Sequence, residues 1–159
     1  MTALDVIRLH EGTRHRPYCD KCGQTIIRSQ SGWGCGCTRV NRSPGNMTIG
    51  IGHNLDSVPL DGESIECICN DDIDSARRFL RAYDWYASLS LVRQAAMTDM
   101  MFTLGPIRFA GFREMIAKLS AHNYQAAAVE MRHSDWFDEA RERVEDDAKA
   151  IENDAWSLR

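Results

Sequence analysis

The sequence predicts an α+β protein in which a small N-terminal lobe is joined by a long helix to an all-helical C-terminal lobe. Residues 13 to 47 have no helical period and contain five glycines, which is typical of short strands and turns. From residue 61 onwards, apolar residues recur every three or four positions. We therefore predict one domain, 1–159, with an N-terminal lobe (1–60), a connecting helix (61–81) and a helical lobe (82–159).

Length and composition are those of an ordinary soluble protein. The chain has 159 residues, of which 43% are hydrophobic and 26% charged, enough for a sizeable core. No apolar run approaches the roughly 18 residues of a membrane span, and the first residues lack the pattern of a signal peptide. We expect a monomer that folds in a cytoplasm and does not insert into membranes.

Charge is unevenly distributed along the chain. Residues 1 to 45 contain seven basic and three acidic residues, whereas the remainder contains 12 basic and 20 acidic ones. A basic N-terminal part suits contact with an anionic polymer, either nucleic acid or an anionic cell wall. The alternative is a solvated surface with no partner.

The first residues predict a short helix that ends at a carboxylate. Thr2 and Asp5 have the spacing of a capping box, Leu4 and Glu11 fall on one face, and Gly12 supplies a stop. Glu11 is thereby expected at the helix C-terminus on its buried side. Burial and the negative end of the helix dipole both favour its neutral form.

Further elements follow from pattern. Residues 47 to 51 alternate with glycine, as a strand does where a ligand or another backbone comes close. Residues 61 to 81 predict a helix with one apolar stripe, formed by Ile65, Cys69, Ile73, Ala76 and Leu80. Residues 90 to 103, apolar nearly all round, predict a buried central helix ended by Gly105-Pro106. Three further helices are predicted from the apolar residues of 112–119, 124–131 and 144–155.

Three polar residues in the first lobe suit cleavage of a polysaccharide. A glycosidase needs one carboxylic acid to protonate the leaving oxygen and one carboxylate on the other side of the sugar. Glu11 suits the acid, and Asp20, in a polar loop next to Lys21, is expected to stay ionised as a base must. Thr48 offers a hydroxyl that can orient a water molecule.

Several separated motifs resemble the T4 phage lysozyme family, glycoside hydrolase family 24. The first two hold the polar residues above: Glu11-Gly12-x-Arg14-x3-Tyr18-x-Asp20 and Thr48-Ile49-Gly50-Ile51-Gly52-His53. Others follow in the family's order: Asn70-x-Asp72-x-Asp74, Val92-Arg93-x-Ala95-Ala96, Gly105, Ala110-Gly111-Phe112, Ser134-x-Trp136 and Trp156. The resemblance covers most of the chain.

The resemblance implies the phage-type lysozyme fold and hydrolysis of the β-1,4 bond between N-acetylmuramic acid and N-acetylglucosamine in peptidoglycan. It implies Glu11 as general acid, Asp20 as the carboxylate that activates water, and Thr48 as the residue that positions the water, with inversion expected. Arg143 matches a family arginine that reaches the acid. The implied protein is an endolysin, held in the host cytoplasm until a separate holin opens the membrane to the periplasm.

His53 is interpreted as a structural residue of the second motif, with Asp72 as its expected ion-pair partner. A histidine beside a strand is more often a packing residue than a second acid or base.

The chain departs from the family between Asp20 and Thr48. The family has a short turn there, whereas in this chain 27 residues, 21 to 47, lie between the two site residues. Two cysteine pairs, Cys19 with Cys22 and Cys35 with Cys37, bracket a glycine-rich segment there. They suit a tetrahedral structural zinc, which would anchor the loop beside Asp20. Two disulfides formed after release are the alternative. Catalysis itself requires no cofactor.

Two other functions remain open at this point. The fold could carry a lytic transglycosylase, which needs Glu11 alone. Alternatively, the cysteine-rich segment could be a zinc ribbon that binds nucleic acid. The lysozyme-like order of Glu11, Asp20 and Thr48 favours a hydrolase and no nucleic-acid partner.

Overall fold

The computed structural model describes residues 2–4, 8, 13–29, 32–34 and 45–156, with the backbone alone described at 27–29 and 32–34. The chain divides into two compact units, residues 1–65 and 66–159. The first contains strands and the second helices, so the α+β class is confirmed.

A three-stranded antiparallel sheet forms the first unit. Its strands are β1 (Arg14–Cys19), β4 (Met47–Gly50) and β5 (His53–Asn54), hydrogen-bonded in that order. The predicted glycine-rich strand is thus present. Gly50 has a φ of 67°, a conformation that suits glycine at the end of β4.

The insertion is more regular than predicted. After β1 the chain turns at Gly23, whose N–H donates to the Cys19 carbonyl over 2.8 Å. It then runs back along β1, with Thr25 bridged to Tyr18, and forms a second antiparallel pair, β2 (Ile27–Ser29) and β3 (Gly32–Gly34). Backbone hydrogen bonds between these strands give the segment a regular structure, which its few apolar residues did not predict.

The connecting helix, α1 (Gly62–Leu80), is confirmed as an element. Its predicted stripe is buried only near its end, where Ala76 and Leu80 join the core. Ile65 and Cys69 are exposed, so the stripe prediction is wrong for the first turns.

Three helices of the second unit begin at a residue whose side chain caps the first turn. The Ser90, Asn123 and Ser134 side chains each accept a hydrogen bond from the backbone N–H three residues later. The elements are a 3₁₀ turn (Tyr86–Ser88), α2 (Leu91–Phe109), α3 (Arg113–Ser120), α4 (Tyr124–Arg132), α5 (Asp135–Glu139) and α6 (Arg141–Asn153).

The central helix α2 differs from its prediction in two respects. Gly105, with a φ of 69°, interrupts it, but helical turns resume at Pro106 and run to Phe109. One face is buried through residues such as Met97 and Met100, whereas Leu91 is 84% exposed. The apolar composition of α2 therefore did not mean that every face of the helix is buried.

The core of the second unit contains the largest fully buried side chains of the described residues. Trp136, Phe109, Leu80, Met97 and Met100 are each under 2% exposed. Across the described ranges, no helix combines the length and apolar character that crossing a membrane requires.

Candidate functional site

Strand pairing in the first unit brings Asp20 and Thr48 together. β1 and β4 are antiparallel, with Tyr18 opposite Thr48 and Cys19 opposite Met47. Asp20 follows directly, and its N–H donates to the Asn46 carbonyl over 3.2 Å. The insertion therefore closes on itself, and its ends meet where the sequence places the two site residues.

Asn46 contacts both residues. Its backbone N–H and its side-chain Nδ2 each donate to one carboxylate oxygen of Asp20, both over 2.8 Å. Its carbonyl accepts a longer hydrogen bond, 3.4 Å, from the Thr48 hydroxyl. Asp20 is exposed, whereas the Thr48 side chain is 4% exposed. The arrangement presents an open carboxylate beside a fixed hydroxyl.

Gly45 allows this close approach. A Cβ at position 45 would collide with Oδ1 of Asp20 and with Sγ of Cys19, and would lie 2.9 Å from the backbone nitrogen of Lys21. Only a residue without a side chain therefore fits where the returning chain passes the Asp20 loop.

A second carboxylate, that of Asp56, holds β4 at this same end of the sheet. Asp56 Oδ2 accepts a hydrogen bond of 2.7 Å from the Met47 N–H, and the Leu55 N–H donates to the Met47 carbonyl over 2.8 Å. These bonds fix the start of β4, and hence the residue before Thr48.

Glu11, the predicted acid, lies outside the described residues, so its role stays a prediction. Arg143, predicted to reach it, lies in the second unit and makes two hydrogen bonds to Asp99, from Nε over 2.6 Å and from Nη2 over 2.5 Å. Hydrogen bonding to Asp99 raises the pKa of Arg143 above its ordinary value. This guanidinium is thus held by an acid that the sequence analysis did not single out.

A second acid, Asp147, completes this cluster. Asp147 is 2% exposed, and burial raises its pKa to about 9, with further contributions from the charge of Asp99 and a hydrogen bond to it. The positive charge of Arg143 opposes the shift. Burial beside Asp99 thus favours the protonated form of Asp147.

Two cavities flank the pair of Asp99 and Arg143 within the second unit. One, of about 410 Å³, is also lined by Asp147 and Trp156. The other, of about 310 Å³, is also lined by Cys69. Among the described residues, Asp147 Oδ2 has no hydrogen-bond partner, so a buried polar atom remains unsatisfied here.

His53 and Asp72, the predicted supporting residues, are both described. His53 is half-buried in β5, and within the described ranges its Nε2 has no hydrogen-bond partner. Asp72 is exposed on α1, and its pairing with His53 stays a prediction. Nearby, the pKa of Asp61 is lowered mainly by the Ser64 backbone N–H, with the charge of His53 as the smallest contribution.

Of the four predicted zinc ligands, two are described. Cys19 is buried at the end of β1 and Cys22 is exposed in the following turn, which the hydrogen bond from Gly23 to Cys19 closes. A Cys-x2-Cys turn of this kind suits two ligands of one zinc. Cys35 and Cys37 lie outside the described residues. In the described part of the chain, no group of three or more His, Cys, Asp or Glu side chains could hold a metal.

Three residues at these sites were missed by sequence reasoning, although two carried a signal. Asp99 is the single acid of α2 and stands between the buried residues Thr98 and Met100, and acids are seldom buried without a partner. Asp147 falls on the buried face of α6, three residues after Val144 and four before Ile151. Asn46 carried no such signal, because its role depends on strand pairing across the insertion.

No protein-family model matches this chain.

Proposed function

We propose that the protein is a peptidoglycan muramidase of the phage endolysin type, with the phage-type lysozyme fold. The observation that carries the proposal is the antiparallel register of β1 and β4, with Tyr18 opposite Thr48. It brings together the two halves of a lysozyme-like motif that 27 intervening residues separate in the sequence. A chain that used the cysteine-rich segment only to bind a partner would have no need of this closure.

The proposed reaction uses Glu11 and Asp20 in different roles. Glu11 donates a proton to the glycosidic oxygen as the bond to the anomeric carbon breaks, and Asp20 takes a proton from the water that attacks that carbon. Exposure of Asp20 at the end of β1 suits the second role, because the carboxylate is open to water. Thr48 lies beside it to orient that water.

Structural zinc at Cys19, Cys22, Cys35 and Cys37 is part of the proposal. When bound, the metal would supply folding energy to a segment with few apolar residues. Its supporting observation is the closed Cys19–Gly23 turn. In the proposed biology the enzyme stays in the host cytoplasm until a holin releases it to peptidoglycan in the periplasm.

A turbidity assay tests the proposed function. Purified protein should clear chloroform-treated Gram-negative cells, whereas Glu11→Gln and Asp20→Asn should each lower the rate by at least about a hundredfold, because each removes a group used in proton transfer. Glu66→Gln and Asp71→Asn change exposed acids of α1 in the same way and should leave the rate unchanged.

Clearing that survives Glu11→Gln would refute the mechanism. Product analysis separates the alternatives on the same fold: new reducing ends indicate hydrolysis, whereas anhydro sugars together with an active Asp20→Asn variant would indicate a lytic transglycosylase. Absence of clearing together with tight binding of nucleic acid would favour the zinc-ribbon module.

A further inference from the structure

Asn46 holds Asp20 at both carboxylate oxygens. The backbone N–H donates to Oδ1 and the side-chain Nδ2 donates to Oδ2, each over 2.8 Å. We propose that Asn46 is a positioning residue of the reaction, which orients both Asp20 and Thr48 toward the attacking water. This inference rests on the proposed function and assigns to it a residue outside the three-residue motif.

The two hydrogen bonds restrict the carboxylate in a defined way. A carboxylate has about four lone-pair sites. Donors on both oxygens oppose rotation of the Asp20 carboxylate about its Cβ–Cγ bond. Asp20 and Asn46 are both exposed, so without the side-chain donor the carboxylate would reorient in water. A displacement of about 1 Å at a reacting group is enough to lower a rate about a hundredfold.

The Asn46 carbonyl acts on the other side of the site. It accepts from the Asp20 N–H over 3.2 Å and from the Thr48 hydroxyl over 3.4 Å. Because the hydroxyl proton points to this carbonyl, the lone pairs of the Thr48 oxygen remain available as acceptors.

This arrangement orients the attacking water. The water can donate one proton to the Thr48 oxygen and the other to the Asp20 carboxylate, which leaves a lone pair on the water oxygen for the anomeric carbon. As the new bond to that carbon forms, Asp20 receives its proton, while the glycosidic oxygen leaves with the proton of Glu11. Asn46 exchanges no proton and acts only through its neighbours.

An asparagine meets these requirements better than its closest replacements. Alanine keeps the backbone donor and the carbonyl but removes the bond to Oδ2. Aspartate keeps the shape but places a carboxylate oxygen against the Asp20 carboxylate, so an attraction becomes a repulsion. A residue that served only to fill space would tolerate aspartate better than alanine, whereas a positioning donor would tolerate it less.

The test compares Asn46→Ala and Asn46→Asp with the wild type on soluble, uncrosslinked peptidoglycan fragments. We expect kcat of Asn46→Ala to fall at least about tenfold, the effect of losing one charge-assisted hydrogen bond, with KM changed less than about twofold. Asn46→Asp should have a lower kcat than Asn46→Ala. Asn123→Ala, which removes the α4 cap in the second unit, should lower the melting temperature but leave kcat unchanged.

An Asn46→Ala kcat within twofold of the wild type, or a kcat of Asn46→Asp above that of Asn46→Ala, would overturn the assignment. If Asn46→Ala does not fold, Asn46→Asp decides, and a wild-type kcat in that variant would overturn the assignment. The proposed function is checked in parallel by Asp20→Asn. An active wild type, an inactive Asp20→Asn and an unaffected Asn46→Ala refute the role of Asn46 alone, whereas an inactive wild type refutes both.

Discussion

The Arg143 guanidinium donates a hydrogen bond to each oxygen of the Asp99 carboxylate, over 2.6 and 2.5 Å, and so connects α6 to α2. A parallel pair of this kind fixes both the position and the plane of the guanidinium. Asp147 lies buried on the next turn of α6, and Asp99 contributes to the rise of its pKa. The orientation of the Arg143 guanidinium is thus set by Asp99, a residue outside the sequence motifs.

The raised pKa of Asp147 predicts how the free energy of unfolding depends on pH. Its pKa is about 9 in the folded state and near its ordinary 3.8 in the unfolded chain, so between these values the folded protein holds a proton that the unfolded chain releases. Stability from this group is therefore full below about pH 4 and is lost as pH rises toward 9, with a slope of up to about 1.4 kcal/mol per pH unit.

Asp147→Asn should flatten that dependence and raise the free energy of unfolding at pH 8. Urea denaturation of wild type and variant at several pH values from 5 to 9 measures the effect. Asp71→Asn, an exposed change on α1, should keep the wild-type slope. Parallel curves for wild type and Asp147→Asn would refute the raised pKa.

The pair of Arg143 and Asp99 should show measurable coupling. In a double-mutant cycle with alanine at both positions, we expect a coupling energy of about 1–2 kcal/mol. The pair makes two parallel hydrogen bonds, but the side chains of Arg143 and Asp99 are 45% and 34% exposed. The single-bond pair of Arg108 and Glu139, 45% and 54% exposed, should give less than about 1 kcal/mol. Equal coupling energies in the two cycles would show that the second hydrogen bond of the Arg143–Asp99 pair adds nothing to its stability.

Gly45→Ala should destabilise the first unit and impair the site together. The added methyl group must displace the Asp20 carboxylate or the Cys19 sulfur, which we expect to cost about 1–3 kcal/mol. Gly62→Ala is the matched control, because a Cβ there meets nothing within 4 Å and alanine favours the start of α1. Thermal unfolding and the clearing rate measure both effects, and a Gly45→Ala variant as stable and active as Gly62→Ala would contradict the packing argument.

Zinc should be present at about one equivalent in protein purified under reducing conditions. Removing it with a chelator should lower the melting temperature, because the insertion would lose the folding energy of the metal. Cys22→Ser should lower the zinc content, whereas Cys67→Ser, at an exposed thiol of α1, should not. Less than about half an equivalent in the wild type would favour disulfides or thiols without a metal.

Most helices of the second unit were predictable because their signals are local, whereas the five-residue helix α5 was not predicted. Ser90 caps α2 as its position before an apolar run predicts, and Gly105 interrupts that helix near its predicted end. The strand β1 was not predictable in the same way, because Arg14, Arg16 and Pro17 are poor strand residues. It forms because β4 and the segment at Thr25 pair with it from both sides.

By itself, the sequence determined the α+β class, most of the helices and the two residues, Asp20 and Thr48, that the first unit brings together. These depend on residue type and spacing along the chain. Only the tertiary structure decided that Asn46 holds Asp20, that Gly45 must stay small, and that Asp147 keeps its proton beside Asp99. Each of these depends on the distance between groups far apart in sequence or on the exclusion of water. The residue types along a short stretch of sequence determine neither.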